Sequence, residues 1–351
     1  MTKNLKNILI IKPSSLGDIV LALPALSALR RSFPAAEISW LIRPAFAPLL
    51  KGHPHLTRTI IFDRKLLGRA WRNLKAFNSL LELIGQLHKS SFDAVIDLQG
   101  LFRTACLGWL TGCRRRFGMS NAREFAHIFY THKIDQTEDC IHLVDYYLKM
   151  TRAAGASDTG VEFILPQDAV AGESVAKLLS ARGIDAGSYA VFVPGSAHRD
   201  KCWPVERFAE LADRISPQFG LSVIATGTEP EWSIAEGIKA AAHTPVENVA
   251  GLTNLLELVA LLRGARLVVS NDTGPGHIAA ALGVPVVMMF GRSNPARVAP
   301  YRRGNCVAAI EPAGRGFNID IADPKHDIRA VTIDMVYQKV CEQMKSGASP
   351  R

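Results

Sequence analysis

Short apolar runs rich in Val and Ile recur along this chain, each followed by a longer segment of helical period, and that alternation restricts the fold more than any other feature. Runs at Asn7 to Lys12, Glu37 to Leu41, Arg58 to Phe62 and Phe92 to Asp97 are followed by helical patterns, notably Ile19 to Arg31 and Asn73 to Lys89. Near-continuous apolar strands of this kind belong to parallel sheets covered by helices on both faces. A helix at His142 to Ala154 leads into 155–167, whose Gly, Ser, Asp and Pro turn signals mark a linker. The alternation then restarts, with strands at Tyr189 to Val193, Leu221 to Thr226, Leu267 to Ser270 and Val284 to Phe290. Helices are expected between them at Pro204 to Gln218, Glu231 to Ala241, Leu255 to Leu262 and Gly274 to Leu282.

At 351 residues the chain exceeds one ordinary core, because single cores stop growing at roughly 250 to 300 residues. The expected fold class is α/β, with two Rossmann-like doubly wound domains, 1–160 and 168–330, facing each other across a cleft. In the remaining segment, 331–351, a helix near Ile333 to Lys345 is expected to pack back on the first domain. No run is long and apolar enough for a transmembrane helix, and Lys12 and Pro13 cut short the only signal-peptide-like start. The six cysteines show no C-x-x-C spacing and read as free thiols of a reducing compartment.

Charge is unevenly divided. The net +9 lies wholly in the first half, where residues 1–165 hold 22 Lys/Arg against 13 Asp/Glu, while the second half holds 19 of each. Clusters at Arg58, Arg64, Lys65, Arg69, Arg72 and Lys75, and at Arg114, Arg115, Arg116 and Arg123, favour a polyanionic partner: nucleic acid, acidic lipid or phosphorylated glycan. A well-solvated basic face accounts for the charge equally well.

Ligands of doubly wound folds bind where loops leave the carboxyl ends of strands, and three such loops carry chemistry. Ser270-Asn271-Asp272-Thr273-Gly274-Pro275-Gly276-His277 joins a strand to a helix; its small residues admit a ligand to the backbone, and the free amides of a helix start favour a diphosphate. Asp272 and Thr273 are also ordinary helix caps, and His277 alone is more often a packed histidine. Gly274 to Ala279 fits the G-x-G-x-x-A dinucleotide pattern, which leaves a nicotinamide oxidoreductase as a rival. The next strand, however, ends in Gly291-Arg292 and not in a ribose-binding acid. In Pro194 to Pro204, Ser196 and Lys201 can bind a leaving diphosphate, while Trp203-Pro204 reads as a helix start. In Lys12-Pro13-Ser14-Ser15-Leu16-Gly17-Asp18, Asp18 either points at a ligand or caps its helix; the residues alone leave this open. Neither a D-x-D pair nor His/Cys ligand spacing indicates a metal site.

Taken together, K-x-S-S-x-G-D followed by Leu23-Pro24-Ala25-Leu26, P-G-S followed by Lys201-x-Trp203-Pro204, Asp97-Leu98-Gln99-Gly100-Leu101, Asp272-Thr273-Gly274-x-x-His277, Gly283-x-Pro285 and Phe290-Gly291 resemble glycosyltransferase family nine, the ADP-heptose:lipopolysaccharide heptosyltransferases. The motifs occur in the family's order over nearly the whole chain. The resemblance implies a GT-B fold and an inverting, metal-independent transfer from ADP-heptose as co-substrate, without other cofactor. It places the enzyme in the cytoplasm, peripheral on the inner face of the bacterial inner membrane, with no nucleic-acid partner. It assigns Asp18 as catalytic base, Ser15, Ser196, Lys201, Asp272, Thr273, Gly274 and His277 to the donor, and Glu231 to the donor ribose. The acceptor it implies is an acidic glycolipid, Kdo-lipid A, for which Arg64, Arg69, Arg72, Arg103 and Arg123 are the candidates. Gly118-Met119, Ala122-Arg123-Glu124 and Phe129-Tyr130 look most like the type-one enzymes; Pro13 and Leu16 depart from that type and keep type two, or another family member with a different acceptor, as the alternative. A non-catalytic nucleotide-sugar-binding or nucleic-acid-binding module is the rival of another class.

Overall fold

The computed structural model describes residues 5–69, 72–157, 160–319 and 323–346. The chain divides into two compact units, Met1–Ile164 and Leu165–Arg351. Their boundary falls in the segment read as a linker, of which 158 and 159 lie outside the described residues.

In the first unit β1 (Asn7–Ile11), β2 (Glu37–Ile42), β3 (Arg58–Ile61), β4 (Ala94–Asp97), β5 (Arg116–Met119) and β6 (His132–Ile134) form one sheet. Its order is β3-β2-β1-β4-β5-β6, every pair parallel, with Ile8 beside both Ile38 and Ala94. Ile8 to Ile11 are fully buried, as a central strand with helices on both faces requires. Leu9, Ile11 and Val95 pack with Leu83 and Leu87 of α3 (Leu74–Lys89) and Leu107 of α4 (Phe102–Leu110). The alternate residues Ile8 and Ile10 therefore point to the opposite face, where α1 (Leu16–Ser32) and α5 (Leu143–Ala154) pack together. A single turn, α2 (Arg64–Leu67), packs beside α3.

The second unit repeats the plan. Its strands are β7 (Tyr189–Val193), β8 (Ser222–Ala225), β9 (Val246–Asn248), β10 (Leu267–Asn271), β11 (Val286–Phe290) and β12 (Val307–Ala309), parallel in the order β12-β11-β10-β7-β8-β9. Counted from its own first strand this is the same doubly wound order as in the first unit, reversing between β1 and β4 there and between β7 and β10 here. Around the sheet lie α6 (Ala169–Ser180), α7 (Val205–Phe219), α8 (Trp232–Ala241), α9 (Leu255–Gly264), α10 (Gly274–Ala281), the short α11 (Pro295–Val298) and α12 (Ile333–Ser346). The two α/β units are those of the GT-B fold class.

Two sequence expectations need amendment. The terminal helix, expected on the first domain, packs in the second unit: Val336 and Val340 of α12 are fully buried among Phe208, Val269, Val287 and Met289. Residues 347–351 of the expected 331–351 segment lie outside the described residues. Four strands, β5, β6, β9 and β12, escaped the apolar-run reading because they hold three or four residues and β5, β6 and β9 include Arg116, Lys133 and Glu247. Three of them, β6, β9 and β12, are edge strands with one neighbour each, and the first two carry their charge where an edge tolerates it.

Candidate active site

In the second unit the strand-order reversal brings the loops after β7 and β10 together. Asn271, the last residue of β10, holds both: its Nδ2 donates to Pro194 O at 2.7 Å and its Oδ1 accepts from Trp203 N at 3.1 Å. Within this frame Lys201 Nζ lies 3.6 Å from Asp272 Oδ2, and His277 Nε2 lies 3.4 Å from Asp272 Oδ1. Burial pushes the Asp272 carboxyl upward, but the hydrogen bond and charge of His277, with Lys201, outweigh it and hold the group below the usual carboxylate range. Thr273 precedes α10, with its hydroxyl 3.1 Å from Ser270 Oγ. Gly274 opens the helix, and a first turn leaves amides without intrahelical acceptors. Gly276 sets α10 close to the sheet, since a Cβ there would lie 2.8 Å from both Ser270 Oγ and Met288 Cε.

Ser196 is half-buried in the same β7 loop and its hydroxyl accepts from His198 N at 3.4 Å. Glu231 reaches this loop from the start of α8. Its carboxylate accepts from Thr228 N at 2.7 Å and Thr228 Oγ1 at 2.8 Å, and an added Cβ on Gly195 would lie 2.2 Å from Glu231 Oε1. The structure thus gathers Ser196, Lys201, Glu231, Asp272, Thr273, Gly274 and His277 around one group of loops. The G-x-G-x-x-A match follows the fourth strand of this unit and not the first, where a dinucleotide fingerprint belongs.

The first unit has its own pair of loops at the equivalent reversal. Asp18, on the first turn of α1, accepts at Oδ2 from Ser15 N at 3.1 Å and Ser15 Oγ at 3.0 Å. Lys12 Nζ faces the same oxygen at 3.6 Å; the lysine side chain is 4% exposed and the aspartate 31%. Burial alone would lower the Lys12 pKa, yet Asp18, Tyr147 and Asp97 around it leave it above the ordinary lysine value. The ammonium therefore persists beside Asp18. Ser14 N donates to Gln99 Oε1 at 3.4 Å, which ties this loop to the one after β4. Beneath it Asp97 accepts from Gln99 N, Gly100 N and, at 2.8 Å, Tyr130 Oη. Burial pushes the Asp97 carboxyl up against those hydrogen bonds, and burial beside Asp97 pushes the Tyr130 phenol up as well.

The five arginines separate into places. Arg64, at the start of α2, and Arg103, on α4, line one pocket, while Arg69 and Arg72 are exposed between α2 and α3. Arg123 stands apart, its backbone N–H donating to Gly100 O at 3.1 Å. Lys12, Asp97, Tyr130 and Asn271 are site-building residues that motif reading quoted or passed over without assigning a role. Among the described residues no three His, Cys, Asp or Glu side chains gather as a metal site, and no helix is long and apolar enough to cross a membrane.

Paired doubly wound units, one carrying a cation beside a glycine-rich helix start and the other a partly exposed carboxylate at its first βα turn, are the equipment of a nucleotide-sugar-dependent glycosyltransferase. The family model of glycosyltransferase family 9 (heptosyltransferase) matches residues 80–319, and the chain belongs to that family. It is 30% identical to the lipopolysaccharide core heptosyltransferase OpsX of Haemophilus influenzae, over 87% of this chain and 84% of that one. Lipopolysaccharide heptosyltransferase 1 of Pseudomonas aeruginosa is also 30% identical, over 84% of this chain and 81% of its own. The solved structure of Escherichia coli heptosyltransferase WaaC with ADP is 27% identical, covering 96% of this chain and 99% of that one, with a TM-score of 0.74.

Proposed function

We propose that this chain transfers a heptose from ADP-L-glycero-D-manno-heptose to the Kdo-bearing inner core of lipopolysaccharide, with inversion at the anomeric carbon. The observation that carries the reading is the Lys201, Asp272 and His277 cluster at the start of α10, held by Asn271 where the strand order reverses. A lysine and a glycine-opened helix terminus together suit a diphosphate that gains charge as it departs. Two relatives bear names in lipopolysaccharide heptosyl transfer, and the solved relative carries ADP.

In this reading the domain expected at 168–330, within the second unit, holds the donor: Lys201, Ser196 and the α10 amides bind the diphosphate, and Glu231 the ribose. The domain expected at 1–160, within the first unit, holds the acceptor, whose acidic groups meet Arg64, Arg69, Arg72, Arg103 and Arg123. Asp18 takes the proton of the acceptor hydroxyl as its oxygen attacks the anomeric carbon; the bond from that carbon to the phosphate oxygen breaks, and its electron pair leaves with ADP. Ser15 fixes the Asp18 carboxylate. Charge neutralisation by Lys201 and helix amides makes the step metal-independent, and the enzyme works at the cytoplasmic face of the inner membrane.

Incubation with ADP-heptose and either Kdo-lipid A or its singly heptosylated product, read by mass spectrometry, tests this. One added heptose on the Kdo acceptor is expected. Transfer only to the already heptosylated acceptor would reassign the chain to the second step, and no transfer to either would overturn the reading.

A further inference from the structure

Helix α3 carries more apolar surface than the core uses. At about 100° per residue, Leu74, Ala76, Phe77, Leu80, Leu81, Leu83, Ile84 and Leu87 cover an arc of roughly 180°, against the roughly 100° of an ordinary core-facing stripe. Ala76, Leu83 and Leu87 fill the interior, whereas Leu74, Phe77 and Leu81 stand 76%, 44% and 51% exposed. Between these two stripes, Leu80 and Ile84 line an open cavity of about 260 Å³ with Leu67, Phe102, Arg64 and Arg103. Among the described residues its lining is apolar apart from the two arginines, and none of them brings a carboxylate to it. Residues 64–75 add Arg64, Lys65, Arg69, Arg72 and Lys75 with no acidic residue among them.

We propose that the α2, α3 and α4 face docks on an anionic lipid bilayer, with the cavity taking up one acyl chain. An apolar strip flanked by cations is the pattern of interfacial binding: the strip enters the acyl boundary, while Arg and Lys remain at the phosphates. The absence of acid in the cavity and in 64–75 favours a phosphate-bearing lipid over a mixed-charge protein surface. The proposal deepens the membrane-face placement proposed above and rests on it, but it stands independently of the transfer chemistry.

The test uses the full chain with phosphatidylcholine vesicles, with and without phosphatidylglycerol. Sedimentation with the anionic vesicles alone is expected, and Leu74→Ser/Phe77→Ser/Leu81→Ser should reduce partitioning about tenfold or more with an unchanged melting temperature. Cys106, a half-buried free thiol lining the cavity, reports occupancy. Anionic vesicles should slow its alkylation by a maleimide, read by peptide mass spectrometry, while Cys202 in the second unit keeps its rate. Equal partitioning of the triple variant, or an unprotected Cys106 in vesicle-bound protein, overturns the proposal. So does a wild-type chain that ignores vesicles but self-associates through this face. ADP titration and transfer to a deacylated, water-soluble acceptor are run in parallel. Failure there strikes the proposed function and leaves the docking result standing.

Discussion

Replacing Asp18 with Asn separates the catalytic role proposed for its carboxylate from the structural role that its contacts with Ser15 and Lys12 give it. Asparagine still supplies an oxygen for the Ser15 N–H and Oγ–H, so the local hydrogen bonds survive. What disappears is the charge 3.6 Å from the buried Lys12 ammonium. At that separation and an effective dielectric near 20, the lost attraction is about 4 to 5 kcal/mol. Asp97 and Tyr147 still face Lys12, and Asp18 is partly solvated. A net destabilisation of about 1 to 3 kcal/mol is therefore expected, more than a helix cap alone would cost. Loss of a general base lowers turnover about a hundredfold or more, equivalent to about 2.7 kcal/mol of barrier. Since the two effects are of similar size, the second variant decides between them. Lys12→Met combined with Asp18→Asn removes the stranded cation and should recover much of the melting temperature while leaving transfer low. The assay is turnover at saturating donor and acceptor, beside thermal melting of all three proteins. Near-full turnover by Asp18→Asn, or recovery of turnover in the double variant, would show that Asp18 serves as helix cap and ion-pair partner and that the proton goes elsewhere.

The two units should also respond separately. Lys201→Ala should weaken ADP binding about tenfold by calorimetry, whereas Arg69→Ala/Arg72→Ala should leave ADP binding unchanged and raise the KM for the lipid acceptor; the reverse pattern refutes the division of labour. Gly195→Ala places a Cβ where Glu231 Oε1 now lies, 2.2 Å away, so the carboxylate must move. ADP affinity is expected to fall about three- to tenfold, and the change should largely vanish in a Glu231→Ala background, where no carboxylate is displaced. Transfer should persist in EDTA; loss restored by magnesium or manganese would refute metal independence.

The loops proposed to hold the donor were legible as neighbours of strand ends, because small residues and a lysine after predicted strands suit a phosphate whatever surrounds them. Their assembly was not legible. Asn271 and Pro194 meet across 77 residues of sequence, and no local pattern announces that the asparagine side chain will hold two loops. Lys12 was quoted without a role for a different reason: lysines are usually solvated, and this one is buried beside Tyr147, which α5 supplies from the far end of the unit. The terminal helix shows the limit of amphipathic patterning. Its spacing identifies an apolar face but not the surface that covers it, and Val336 and Val340 settle into the second sheet. Short strands such as His132–Ile134 carry too few residues for a period to register.

Trp203 connects the loop after β7 to the segment that leads into α12. Its backbone N–H is held by Asn271, its indole Nε1 donates to Val331 O at 2.8 Å, and Arg207 Nη1 donates to the carbonyls of Arg329 and Val331 at 2.7 Å each. Two residues beyond Val331, α12 begins. These bonds tie the loop to the approach to α12, so a ligand that quiets the loop is expected to slow amide exchange in α12 as well. Reciprocity carries the effect back: a chain trimmed before α12 is expected to bind ADP more loosely with Lys201, Asp272 and His277 still present.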